Sequence, residues 1–248
     1  MIRIAAVGDV HVDSDVVGRY RPALEELPDR ADALLVAGDL TRHGTVDEAR
    51  CFAQEFGGLA VPVVVVLGNH DHQSDQQGRV AGVLTEAGIT VLEGEATVLE
   101  LHGHRLGIAG VKGFGGGFAG ACASNFGERE MKDFVGTTEA ISARLADALQ
   151  SVQVDALVAL THYAPVPETL VGEPLEIYPF LGCYQLGRAI DSAPTALALH
   201  GHAHHGSERG RTPGGVPVRN VAHPVIKQAY NVYQLLSEQV DAELVGAG

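Results

Sequence analysis

Residues 61–71 read VPVVVVLGNHD. A nearly unbroken apolar run, with four consecutive β-branched valines, stops at Gly68 and gives way to Asn69, His70 and Asp71. Valine-rich runs of this length favour strands. The lack of alternation with polar residues marks a strand buried on both faces, as in a parallel sheet covered by other layers. The pattern recurs four times. IRIAAV (2–7) ends in Gly8-Asp9-Val10-His11, and ALLVA (33–37) in Gly38-Asp39-Leu40-Thr41. ALVAL (156–160) ends in Thr161-His162-Tyr163, and the weaker run ALAL (196–199) in His200-Gly201-His202-Ala203-His204. Each run finishes on Asp, Asn or His. The carboxyl ends of strands line the ligand crevice of open α/β sheets, so neighbouring strands would gather these side chains into one patch.

Between the runs, residues 45–56 and 137–149 carry helical spacing. In the second, Ile141, Leu145 and Leu149 recur every four residues, and Thr137 or Thr138 can serve as N-cap. Strands alternating with helices predict βαβ units around a largely parallel sheet. Residues 96–101 and 106–111 read as a hairpin, and 216–221 and 232–236 as further antiparallel strands, so the sheet is expected to be mixed. No linker or composition break divides the 248 residues, and 1–248 reads as a single domain. The Gly-rich stretch 112–127 lacks the GK[ST] of a phosphate-binding loop. It reads instead as a mobile cap loop in which Phe114, Phe118 and Phe126 could stack on a base or other apolar group. Tyr163 and residues 173–184 are further candidates for substrate contact.

The composition, 46% hydrophobic and 19% charged, is that of a globular chain rather than a disordered one. The net charge of −14 argues against nucleic acid or an anionic membrane as main partner, because phosphate backbones demand a positive footprint. A small phosphorylated substrate remains compatible if local cations offset the field. Cys51, Cys122 and Cys183 are odd in number and far apart, which reads as free thiols in a cytoplasmic setting. The N-terminal apolar run is interrupted by Arg3 and ends at Asp9, unlike a signal peptide. No run of about 20 apolar residues suits a membrane span.

The polar ends of the five runs supply the carboxylates of Asp9 and Asp39, the amide of Asn69 and the imidazoles of His11, His162, His202 and His204. Oxygen and imidazole donors together suit Mn, Fe or Zn and disfavour soft Cu(I). Seven ligands exceed what one ion uses, whereas two ions sharing a bridging carboxylate match the count. Two metals about 3.5–4 Å apart are the clamp used for displacement at phosphorus.

The blocks Asp9-x-His11, Gly38-Asp39, Gly68-Asn69-His70-Asp71, His162 and Gly201-His202-x-His204 resemble, in order and spacing, those of the calcineurin-like metallophosphoesterase superfamily. The resemblance implies a four-layer αββα sandwich with two mixed β-sheets and a two-metal site at the strand ends. It also implies that Asp9, His11 and His204 hold one ion, that Asn69, His162 and His202 hold the other, and that Asp39 bridges them with a hydroxide that attacks phosphorus. His70 would touch the phosphoryl oxygens and protonate the leaving group, with Asp71 orienting it. The sequence GDLTRHG at 38–44 followed by GNHD departs from the GDxxDRG and GNHE of Ser/Thr protein phosphatases. It is more similar to the small bacterial phosphodiesterases of the cyclic-nucleotide type.

The remaining histidines read more plainly. His200 and His205 lie outside the motif and are expected behind the site or on the surface. His102 and His104 are expected in an exposed hairpin turn, and His72 and His223 have no motif support. Arg42 or His43 could lend positive charge to a phosphate or be solvated loop side chains. Two other readings stand beside the enzyme: a metal-binding scaffold of the same fold without activity, and a nuclease, against which the acidity argues.

Overall fold

In a computed structural model of the chain, residues 1–235 are described. Two mixed sheets lie face to face. In the first, β1 (Ile2–Val7), β2 (Ala33–Ala37), β3 (Val63–Val66) and β4 (Thr90–Val91) run parallel, and β13 (Asn231–Leu235) pairs antiparallel with β1. The second begins with the antiparallel pair β5 (Glu95–Leu101) and β6 (His104–Val111). It continues in parallel through β9 (Ala156–Thr161), β10 (Leu197–His200) and β12 (Pro217–Asn220), and β11 (Arg209–Arg211) closes its edge antiparallel to β12. The orders are β13-β1-β2-β3-β4 and β11-β12-β10-β9-β6-β5.

The near-continuous apolar runs follow from this stacking, because successive side chains point to opposite faces and both faces are covered. Ile4 and Ala6 of β1, Leu35 and Ala37 of β2, and Val64 and Val66 of β3 meet Ile108, Val158, Leu160, Leu197 and Leu199 of the second sheet. Their neighbours Ala5, Val7, Leu34, Val36, Val63 and Val65 face the other way, onto a helical layer. That layer comprises α1 (Arg21–Glu25), α2 (Leu27–Arg30), α3 (Val46–Phe56) and α4 (Gln77–Glu86), which contribute Leu24, Leu27, Phe52, Phe56, Val80 and Leu84. On the far side, α5 (Arg129–Gln150) and α7 (Tyr184–Asp191) pack Ile141, Leu145, Leu149, Leu186 and Ile190 against Ala109, Val111, Leu157 and Ala159. The result is the four-layer αββα sandwich. The helix expected over 45–56 is α3, held by a capping box between Thr45 and Glu48.

The structure corrects four expectations. The helix expected over 137–149 begins eight residues earlier, at Arg129. Thr137 and Thr138 do not cap it: the Thr137 hydroxyl donates back to the carbonyl of Asp133, the usual fate of such residues inside a helix, and the Thr138 hydroxyl donates to Gly115 O (2.6 Å). The strand expected as antiparallel over 216–221, β12, lies parallel to β10. The chain reverses once into β11 and again out of it, so β12 runs in β10's direction and is antiparallel only to β11. The strand expected over 232–236 is β13, and residue 236 lies outside the described residues.

The fourth correction concerns 112–127, which is a tethered segment rather than a free loop. It forms a small hairpin of β7 (Gly117–Phe118) and β8 (Ala121–Cys122). Its Gly116 and Gly117 amides donate to the carbonyls of Pro179 and Gly182, beside the short helix α6 (Tyr178–Leu181). Phe118 is buried among Ala164, Leu170, Leu181 and Ala203. Phe114 is half-buried, and Phe126 is exposed. Among the described residues no helix is long and apolar enough to cross a membrane.

Candidate metal centre

The seven expected ligands sit at the seam where the carboxyl ends of both sheets meet. Hydrogen bonds cross this seam: the Gly8 amide donates to Val221 O (2.8 Å), and His162 Nδ1 bonds Ala37 O (2.8 Å). Beyond β1 and β2 the two chains keep pairing as loops, through Asp9 N to Gly38 O, His11 N to Asp39 O and Val12 N to Leu40 O. In doing so Asp9 (φ 56°), His11 (φ 44°) and Asp39 (φ 49°) adopt left-handed backbone, as does His202 (φ 69°). Non-glycine residues rarely do this, and its concentration at one spot is typical of functional sites. Two glycines make the approach possible. A Cβ at Gly38 (φ 81°) would enter the His162 ring, and one at Gly68 would collide with the Asp39 carboxylate and amide.

The donors fall into two overlapping sets, each with its atoms within 4.8 Å of one another. One is Asp9, His11, Asp39 and His204; the other is Asp39, His162 and His202. Asn69 joins the second, its Oδ1 lying 2.8 Å from His162 Nε2. Asp39 alone belongs to both. His162 Nε2 is 3.3 Å from Asp39 Oδ1, and His11 Nε2 is 3.8 Å from Asp39 Oδ2. Backbone carbonyls fix the imidazoles as outer partners do in metal sites. With its Nδ1–H on Ala37 O, His162 turns Nε2 to the cluster. His202 bonds Phe180 O through Nε2 (3.2 Å), which leaves Nδ1 as its lone-pair donor.

Burial sets the electrostatics. It pushes His11 down to about 4 and His202 down to about 3, and it lowers His162 as well, so these rings present neutral lone pairs near pH 7. Burial also opposes ionisation of Asp9, but the His204 hydrogen bond (2.8 Å) and the nearby His162 hold its carboxyl down to about 2. Asp39 is pushed up to about 8 by burial, then by the neighbouring Asp9 and Asp71 carboxylates. That crowding is what a cation between the carboxylates would relieve. Neutral imidazoles, carboxylates and one amide oxygen form a donor set that fits borderline divalent or trivalent ions.

His70 stands at the mouth of the cluster, with Nε2 3.9 Å from Asp39 Oδ2 and its ring 4.5 Å from that of His11. The expected contact with Asp71 is not formed. His70 Nδ1 bonds the Arg42 carbonyl (2.7 Å), while Asp71 is fully buried and accepts from Leu40 N, Thr41 N, Thr41 Oγ1 and Gly68 N. Asp71 thus ties the loop of Asp39 to the loop of Asn69. No residue signal could have revealed the carbonyls of Ala37, Arg42 and Phe180 as anchors, because every residue carries that group.

The side residues are spoken for. Arg42 pairs with Asp13 and Asp15, and His43 with Glu48. Asp13, His43 and Glu48 form a third cluster of possible ligands, but Arg42 already balances Asp13 and Glu48 caps α3. His200 is buried behind the site, bonded to Gly201 O and Thr169 Oγ1, and His205 donates its amide to Glu173. His102 lies in the exposed turn between β5 and β6, where it meets Asp32 at 3.1 Å. His223 packs edge-on against Tyr20.

The family model of calcineurin-like phosphoesterases matches residues 2–206, a span that opens with β1 and closes just past His204. No curated protein matches the sequence. Among solved structures, the phosphopantetheinyl hydrolase of Mycobacterium tuberculosis is similar with a TM-score of 0.62 and 18% identity, over 88% of this chain and 88% of that one. The protein TT1561 of Thermus thermophilus is similar with a TM-score of 0.60 and 17% identity, over 99% of each chain. At such identities the likeness carries the fold.

Proposed function

The chain belongs to the calcineurin-like phosphoesterase family, and from that premise we propose that it hydrolyses small phosphomonoesters or phosphodiesters, cyclic nucleotides among them, with two Mn, Fe or Zn ions. The observation that carries this reading is Asp39: a single buried carboxylate shared by two donor sets is the geometry of a paired site. Asp9, His11 and His204 would hold one ion, and Asn69, His162 and His202 the other. When bound, such a pair supplies positive charge to phosphoryl oxygens and acidifies a water. The chain's own residues do the rest. Carbonyl anchors keep His162 and His202 in the ligating tautomer. His70 holds its Nδ1 proton on Arg42 O, so a second proton on Nε2 creates the imidazolium. That form can bond a phosphoryl oxygen or protonate the departing alkoxide.

The net charge of −14 supports small esters over long nucleic acids as substrate, and the three free cysteines support a cytoplasmic setting. The test is a metal-reconstituted panel of a monoester, an open diester, and 2′,3′- and 3′,5′-cyclic nucleotides, with metal content measured in parallel. Asp39→Asn should lose about 100-fold or more in activity and retain less metal than the wild type. His70→Asn should keep its metal while kcat falls by roughly 10²–10⁴. Full turnover after exhaustive chelation would end the proposal.

A further inference from the structure

A pocket of about 580 Å³ opens beside the metal centre, between β8, the first turns of α5, and α6. Its walls include Ala123, Met131, Phe134, Pro179 and Phe180, and Glu130 is the one charged residue among them. The volume lies within the range of small-ligand sites. Resting on the phosphoesterase reading above, we propose that this pocket receives an uncharged apolar ester group of the substrate. The preferred substrates would then carry an alkyl or aryl group on an ester oxygen of the phosphate rather than a second phosphate.

Three observations support this. First, the pocket shares a residue with the centre. The residue that forms its wall, Phe180, accepts through its carbonyl from His202 Nε2. A file of aromatic rings also runs from His202 through Tyr163 (4.3 Å), Phe114 (6.0 Å) and Phe134 (5.1 Å) to Phe180 (6.5 Å). Second, its walls come from 112–127, 173–184 and the first turns of α5, and the bonds from Gly116 and Gly117 to Pro179 and Gly182 hold the first two together. The pocket is therefore built in advance, with little ordering left for a ligand to impose. Third, Phe180 is 61% and Met131 42% exposed, and large apolar side chains facing water at one mouth gain from being covered. Glu130 disfavours an anionic group in the same place.

The experiment is calorimetric titration of the metal-loaded full chain with methyl-, butyl- and octylphosphonate, which are not hydrolysed. Methylphosphonate reports the metal centre alone, and the chain-length increment reports the pocket. Each buried methylene is worth up to about fourfold in affinity, so butylphosphonate should bind at least tenfold more tightly than methylphosphonate. Ala123→Trp fills the pocket from a half-buried position, and Met131→Asp places a charge on its rim. Both should abolish the increment while leaving methylphosphonate affinity within twofold. An affinity independent of chain length in the wild type, or an increment that survives in both variants, overturns the proposal. Failure of methylphosphonate itself to bind would strike the phosphoesterase reading, and the pocket's role with it. Self-association that Met131→Asp abolishes would assign the pocket to a second copy of the chain and likewise overturn it.

Discussion

Asp71→Asn separates two roles for a residue that sits next to His70 in sequence but not in function. The Asp71 carboxylate accepts from Thr41 N (2.8 Å) and Thr41 Oγ1 (2.6 Å) on one oxygen, and from Leu40 N (3.1 Å) and Gly68 N (2.7 Å) on the other. Asparagine offers one oxygen and turns an NH₂ toward the remaining donors. If that oxygen takes the Thr41 side, the amides of Leu40 and Gly68 lose their acceptor. Each buried orphan costs about 1–3 kcal/mol, so the loss is roughly 2–6 kcal/mol. If it takes the other side, the Thr41 hydroxyl can rotate to accept from the NH₂, only the Thr41 amide is orphaned, and the cost sits at the low end. Urea unfolding gives this number directly, and metal content shows whether the Asp39 and Asn69 loops still meet. In fully metal-loaded protein kcat should be unchanged, because Asp71 does not touch His70. Stability within about 0.5 kcal/mol of wild type, together with a lowered kcat at full metal content, would refute the bracing role.

The sequence made the strand ends legible because two signals coincide there. A doubly buried strand must be apolar throughout, so Val64 or Leu35 reads the same whichever face it takes, and the first polar residue marks where the sheet stops covering the chain. That logic located the five segments that meet at the seam. It could not show that Asp9, His11, Asp39 and His202 take left-handed backbone, because none is glycine. It misplaced the start of α5, because residues 129–134 are mostly solvent-facing and carry no apolar repeat. Thr137 and Thr138 then imitated a cap. The resemblance implied that Asp71 orients His70, but in the 3₁₀ turn His70–His72 their side chains take different partners. Phe118 was misread because its burial depends on Leu170, Leu181 and Ala203, residues remote in sequence.

Gly68→Ala should displace Asp39, since its Cβ has no room beside that carboxylate. Overpacking of this kind costs about 1–3 kcal/mol, and a displacement of the shared ligand near 1 Å should cost roughly 100-fold in kcat/KM; unchanged metal content and activity would contradict the packing described. Gly78→Ala is the counterpart in α4, where nothing lies within 4 Å, and thermal melts should show it more stable by about 0.5–1 kcal/mol with activity unaltered. Glu93 is pushed up to about 7, first by burial and against the pull of the Leu67 amide and Lys112. Between about pH 4.5 and 7 the folded chain therefore keeps a proton that the unfolded chain has lost, and stability falls with rising pH by up to roughly 3 kcal/mol. Glu93→Gln should flatten that decline and gain stability over wild type at pH 8 but not at pH 4.5; parallel stability curves would dismiss the assignment.

Left-handed backbone at a non-glycine residue is disfavoured by about 1–2 kcal/mol, and four such residues at one seam need a reason to persist. The hydrogen bonds give one. Asp9 and His11 donate their amides to Gly38 and Asp39, so the loops after β1 and β2 continue each other's pairing after the strands have ended. The His202 amide donates to both oxygens of Asp9, at 3.0 and 2.9 Å. The conformation that turns each side chain inward is thus also the one that satisfies its backbone, and it is clamped to two sheets buried on both faces. A ligand set held this way is positioned by backbone bonds between the loops as well as by its donors. Affinity for the ion comes from the charge and lone pairs of the donors, while the strain has already been met by the sandwich. This is why the polar ends of the strands can be so crowded with carboxylates and still fold: the double core supplies the stability that their mutual repulsion removes.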